Sequence, residues 1–313
     1  MAQSETAQFG LVTDKLHFPE GPIATSSGTV ILVEIRSGDL SEVNLETGEA
    51  RVIAHCGGGP NGAAVGPDGQ IYVCNNGGFM WHEVGGLVAP GQQPDDYIGG
   101  RIQRVDPATG AVADVYTDCG GHPLRGPNDI VFDRDGGFWF TDLGKTRDRD
   151  VDRGGLYYAR PDGSSIEEVV YGLVTPNGVG LSPDGSRVYV AETGPGRVWA
   201  WDITGPGRVA GGGIGPGGAR LLWGFDGFQL LDSLAVDADG NVCVATLVTG
   251  VVSVVTPEGS LVEQVALPEH DVFVTNICFG GDDMRTAYVT SSGRGRLYST
   301  TWATPGLKLA FNL

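Results

Sequence analysis

The 313 residues, 41% hydrophobic and 19% charged, describe a folded globular chain able to bury about three quarters of the surface its unfolded form exposes, which excludes a disordered or a membrane-spanning protein. Twenty Lys and Arg against 38 Asp and Glu leave a net charge of −18, which repels nucleic acid and anionic membrane surfaces and suits a cation or a neutral small molecule. The opening MAQSETAQFG has neither a basic start nor an apolar run and the five cysteines form no close pair, so a reduced, cytoplasmic protein without a membrane or nucleic-acid partner is expected.

In chain order, FGLVT at 9–13 reads as a lone strand. A hairpin unit then recurs six times, each copy a polar residue, an apolar run, a tight turn and a second apolar run. The copies are EGPIATSSGTVILVE from 20, NGAAVGPDGQIYVCN from 61, NDIVFDRDGGFWFTD from 128, NGVGLSPDGSRVYVA from 177, DSLAVDADGNVCVAT from 232 and NICFGGDDMRTAYVT from 276. The turn residue always falls seven positions after the leading one, and copies start 41, 67, 49, 55 and 44 residues apart. Between them lie further strand pairs, such as LSEVNLETGEARVIA from 40 and GVVSVVTPEGSLVEQVAL from 250, making four strands per unit. With 52 glycines and no sustained apolar spacing of three and four, the chain is expected to be all-β: a six-bladed β-propeller, one domain over 1–313. After RGRLYSTTW the last unit is one strand short, so the N-terminal strand is expected to complete it and to remove a free sheet edge.

The first strand of every blade lines the central channel of a propeller, so Glu20, Asn61, Asn128, Asn177, Asp232 and Asn276 are expected to ring one mouth. A second ring, Glu34, Asn75, Asp142, Glu192, Thr246 and Thr290, should return to the same end and bring the total to as many as five carboxylates. With no Lys or Arg at these repeat positions, such crowding calls for a bound cation. An oxygen-only set favours Ca²⁺, Mg²⁺ or Mn²⁺ over Zn²⁺. The competing reading is that Asn and Asp merely start strands by satisfying loop amides, which fits Glu20 and Asp232 least well. Arg125 could orient an oxygen-rich substrate. The connection after Asn75 runs about two dozen residues, and its Phe79, Met80, Trp81 and Tyr97 either form an apolar lid over substrate or pack on the neighbouring blade.

The motifs FPEGP at 18–22, RGPND at 125–129, TPNGVGLSPDG at 175–185, and Asp232 followed by LAVDADGNV resemble the SMP-30/gluconolactonase/luciferin-regenerating-enzyme family over nearly the whole chain. The resemblance implies a propeller with one divalent cation held by Glu20, Asn177 and Asp232, Ca²⁺ first, with Mn²⁺, Mg²⁺, Zn²⁺ or Fe²⁺ as alternatives. It implies hydrolysis of sugar lactones or related cyclic esters, with Asp232 as acid/base and with Asn128 toward metal-bound water or substrate; placement at the mouth itself adds Arg125, Trp81 and Asp142 as substrate-side candidates. One position departs: vertebrate-type members carry arginine two residues before the equivalent of Asn128, where this chain has Gly126 and places Arg125 one residue further off. The rival functions are hydrolysis of other esters or phosphoesters, and a non-catalytic propeller stapled by its metal and used for binding.

Overall fold

A computed structural model describes residues 8–313. Apart from two short hairpins, Trp81–Val84 with Leu87–Pro90 and Asp118–Cys119 with His122–Pro123, its strands gather into six antiparallel sheets, the blades of a β-propeller, in the chain order expected from the repeat. The innermost strands are Pro19–Ala24, Pro60–Val65, Pro127–Phe132, Pro176–Leu181, Leu231–Val236 and Val274–Gly280. Blades 1 to 5 each run outward through consecutive segments of chain, blade 4 carrying an extra short strand at Arg208–Val209. In blade 6 the outermost strand is Gly10–Thr13, paired antiparallel with Arg296–Thr301, so the ring closes with the chain's two ends in one sheet. Among the described residues the only helical element is a 3₁₀ turn at Pro216–Gly218, and no helix is long and apolar enough to cross a membrane.

Alternation along the strands sends apolar side chains into the gaps between blades, as Trp139, Tyr158, Trp199 and Trp201 do between blades 3 and 4. Cys74 and Cys243 are fully buried there and all five cysteines are free. Toward the axis the inner strands come very close. A Cβ on Gly62 would stand 2.5 Å from the carbonyl oxygen of Asn128, and one on Gly178 would stand 2.7 Å from the amide nitrogen of Leu234, so only glycine lets neighbouring blades touch there.

Each inner strand also breaks register at its entry. The shifts fall at Glu20/Ile23, Pro60/Ala63, Pro127/Ile130, Pro176/Val179, Leu231/Leu234 and Val274/Asn276. A bulge re-aims the side chains at the strand's end, and here all six sit where the leading polar residues fall. Four of the six strands begin with proline, which surrenders no ladder hydrogen bond at a first position and stiffens the approach. The far end of the channel is covered by the C-terminal segment. Ala238 donates to the carbonyl of Pro305, Leu307 to Val236 and Ser26 to Leu313, at 2.8, 3.0 and 2.8 Å, and Phe311 meets Phe132 edge-on.

Candidate functional site

At the bulged end, Glu20 is 1% exposed. Its Oε2 accepts from the Gly21 amide at 2.5 Å and from Asn276 Nδ2 at 2.7 Å, while its Oε1 has no partner. Asn128 is buried with its Oδ1 likewise unpartnered. Asn177 donates from Nδ2 to Thr193 Oγ1 at 3.2 Å, and its Oδ1 accepts from Ser233 Oγ at 3.4 Å. Asp232 is half-buried at the same mouth. Burial, abetted by the charge on Asp129, pushes Asp232 up to about 8 against the lowering contacts of Asn177 and the Ser233 amide. Glu20 rises well above the usual carboxylate range for the same primary reason, with Asp232 and then Asp129 adding repulsion.

Asp129 joins the ring without having been expected. Its Oδ1 accepts from the Ile130 amide at 2.9 Å and its Oδ2 from the Val179 amide of the next blade at 3.1 Å, and burial lifts it to about 7. Strict alternation along a strand turns the residue after Asn128 away from the channel, but the bulge at Pro127/Ile130 keeps both near the axis. The Asn-Asp pair directly after a proline was the available signal.

The second ring does something other than crowd the mouth. Glu34 accepts from the His17 amide at 2.7 Å and from Ser41 Oγ at 2.6 Å. Glu192 accepts from the Val174 amide at 2.5 Å and from Trp199 Nε1 at 2.6 Å. Asp142 takes the amides of Gly126 and Gly144 on Oδ1, at 2.7 and 2.9 Å, and that of Arg125 on Oδ2 at 2.7 Å. His17, Val174 and Arg125 each lie three residues before the ring residue of their blade. These carboxylates brace the turns that deliver Glu20, Asn177 and Asn128, so the expected five carboxylates reduce to Glu20 and Asp232, which the unexpected Asp129 joins. Asn75 does likewise with the Gly59 amide at 3.0 Å, whereas blade 5 uses Gln229, whose Oε1 accepts from Leu230 and Val248. Asp142, expected to face substrate, is committed to backbone.

The braced turns hold strain. Phe18 and Thr175, each two residues before a proposed ligand and each followed by proline, adopt left-handed backbone at φ 59° and 49°. That conformation costs a non-glycine residue about 1–3 kcal/mol and persists where the surroundings over-determine it. Arg125 carries its side chain into solvent, with its carbonyl accepting from Tyr97 Oη at 2.6 Å. Trp81 is half-buried and packs against Phe18 of blade 1 at 5.1 Å between ring centroids and Phe79 at 6.2 Å. Its segment forms a hairpin, Trp81–Val84 with Leu87–Pro90, that crosses the top of the blades: Val88 donates to the Gly293 carbonyl of blade 6, and Gln93 to that of Thr146 in blade 3, both at 2.9 Å.

The match of the SMP-30/Gluconolactonase/LRE-like family model spans residues 18–293. The chain belongs to this family. Lactonase drp35 of Staphylococcus saprophyticus is 31% identical over 254 residues, covering 80% of this chain and 70% of its own. Among solved structures, a gluconolactonase of Xanthomonas campestris superposes with a TM-score of 0.72 at 23% identity, covering 96% of this chain and 90% of its own. A calcium-binding protein, regucalcin, of Agrobacterium tumefaciens superposes at 0.76 and 18%, covering 98% and 97%. At those identities the structural likeness bears on the fold.

Proposed function

We propose that the chain is a lactonase-type hydrolase acting on a small-molecule lactone at the bulged end of the channel, with a divalent cation held by Glu20, Asn177 and Asp232. The observation that carries this reading is the pairing of two unpartnered buried oxygens, Glu20 Oε1 and Asn128 Oδ1, with two carboxyls, Glu20 and Asp232, that repel one another and have no basic side chain at the ring. Leaving such oxygens unpaired is costly, and a hard cation would satisfy them. Among the described residues no three carboxyl, imidazole or thiol groups converge as a ready-made metal cluster. The donor set therefore rests on two carboxylates and amide oxygens, a chemistry that suits Ca²⁺. Asp129 adds charge nearby while its own oxygens stay with backbone amides.

When bound, the cation would polarise the lactone carbonyl and offset the charge that develops on its oxygen. The chain's own residues do the rest. A carboxylate oxygen of Asp232 accepts the proton of the attacking water and returns it to the leaving alkoxide of the opened ring. Asn128, on the inner strand of blade 3 with blade 4 between it and Asp232, directs its amide toward substrate oxygens, and the braced turns hold both groups in place so that little reorganisation accompanies reaction. Because the opened product remains one molecule with a new carboxylate and a new hydroxyl, no leaving group must find a second exit, and the covered far end of the channel is no obstacle.

Acid release from a panel of aldonolactones and of aliphatic and aromatic lactones, with chelated and Ca²⁺-replenished protein, tests the proposal. Hydrolysis of at least one class, abolished by chelation and restored by Ca²⁺, is expected. Inactivity on every lactone sinks the hydrolase reading, and activity indifferent to chelation removes the cation from it.

A further inference from the structure

Among the described residues Lys145 is the only lysine or arginine that is buried, at 2% exposure. It follows Asp142 and Gly144 at the top of blade 3, yet its side chain reaches into the long insertion of blade 2. Its Nζ donates to the Gly78 carbonyl at 2.6 Å and to Asn76 Oδ1 at 3.2 Å, and stands 4.2 Å from the centroid of the Phe79 ring and 5.5 Å from that of Tyr97. An ammonium withdrawn from water is expensive unless well partnered. Its nearest carboxylates do not pair with it: Asp142 serves three backbone amides, and Asp152 takes two hydrogen bonds from Arg147, at 3.0 and 2.7 Å. The charge is held by a carbonyl, an amide oxygen and two aromatic faces, all from the insertion. Burial accordingly pulls Lys145 down to about 7 although Asp142 and Asp152 act to raise it.

The insertion in turn carries one side of the mouth. From Phe79 the ring contacts run to Trp81 at 6.2 Å, to Phe18 at 5.1 Å and on to Phe273 of blade 6 at 5.8 Å. Phe18 and Phe273 lie two and three residues before Glu20 and Asn276. One line of side chains thus extends from Lys145 across the top of blades 2, 1 and 6 to the entries of two ring residues.

We propose that Lys145 is a positioning residue of the channel mouth, fastening the insertion between Asn76 and Gly100 onto blade 3 and thereby setting how tightly substrate is held. This rests on the hydrolase reading for its kinetic arm alone. Lys145 contacts neither the ring nor the proposed cation ligands, so its removal acts on substrate affinity and not on the chemical step. The parallel ties from the same blade 3 loop, Gln93 N to the Thr146 carbonyl and Arg147 to Gln93 Oε1 at 3.3 Å, hold the insertion further along, and Lys145, beside the Tyr97 Oη bond to the Arg125 carbonyl, fixes its aromatic end from Asn76 to Phe79.

The test compares the full-length chain with Lys145→Met, which keeps bulk and removes charge and donors, and with Lys145→Gln, which keeps donors on a shorter arm. Amide hydrogen exchange at Met80 and Gly91 should quicken about tenfold in Lys145→Met and less in Lys145→Gln, with the inner strands of blades 4 and 5 unchanged. For a hydrolysed lactone, KM should rise about tenfold with kcat within about threefold. Unchanged exchange across the insertion would overturn the proposal, as would a fall in kcat at constant KM or loss of the folded state in both variants. The last would make Lys145 a staple of the whole fold. If the parent chain opens no lactone, the hydrolase reading fails while the exchange measurement still decides whether Lys145 fastens the insertion.

Discussion

Burial governs the chemistry of Asp232 and Glu20 more than any neighbour does, and it makes both reluctant to ionise. A carboxyl raised to about 8 binds its proton more tightly folded than unfolded. Its contribution to stability is then complete below about pH 4 and is lost as pH rises through about 8. The cation-free protein should therefore lose thermal midpoint between about pH 5 and 8, and the midpoint gained on adding Ca²⁺ should grow over the same interval. Calorimetry with EDTA and with Ca²⁺ across that range checks this, and Asp232→Asn should flatten the slope. The same variant tests the proton acceptor. At saturating cation its kcat should fall by roughly 10² to 10⁴, as expected for loss of a general base. Recovery of full kcat would leave Asp232 as a ligand only.

The inner strand and its turn form the element that delivers each ring residue, and in blades 1 to 4 a carboxylate or amide from the neighbouring strand is its brace. Asp142→Ala frees the amides of Arg125, Gly126 and Gly144 together and should cost roughly 2–4 kcal/mol of stability, since bonds to a charged acceptor are the stronger kind. If Asp142 instead faces substrate, KM would change with the thermal midpoint intact, so parallel melting and kinetic measurements separate the two. The hairpin repeat announced these elements plainly, because strand alternation and turn residues are local signals. The bulges were not legible. They depend on how six inner strands crowd one axis, and their consequence, Asp129 beside Asn128 near the channel, contradicts the two-residue period by which a strand is read.

For the whole molecule, closure of the ring is the organising event. Removing residues 1–13 takes away the strand Gly10–Thr13 and exposes Arg296–Thr301 as an open edge, so the truncated chain should unfold at a lower temperature and self-associate, as light scattering alongside melting would show. Trimming the chain after Gly306 uncovers the apolar lining at the channel's far end, including Phe132, Val236 and Phe279. It should lower the midpoint while leaving kcat within about threefold, because the ring lies at the opposite mouth. The sequence by itself determined the six units, the shared position of Glu20, Asn128, Asn177 and Asp232, and the N-terminal strand's place in the last blade, since repetition imposes one geometry on every copy. Tertiary structure alone decided which oxygens face the channel and which hold turns. Glu34, Asp142 and Glu192 occupy repeat positions as regular as the ring's, and nothing local distinguishes a carboxylate that finds backbone amides from one that is left facing a neighbour's charge. Lys145 shows the same limit: its partners stand 67 and 69 residues away in the chain, and only the docking of blade 2's insertion on blade 3 makes a loop lysine a buried one.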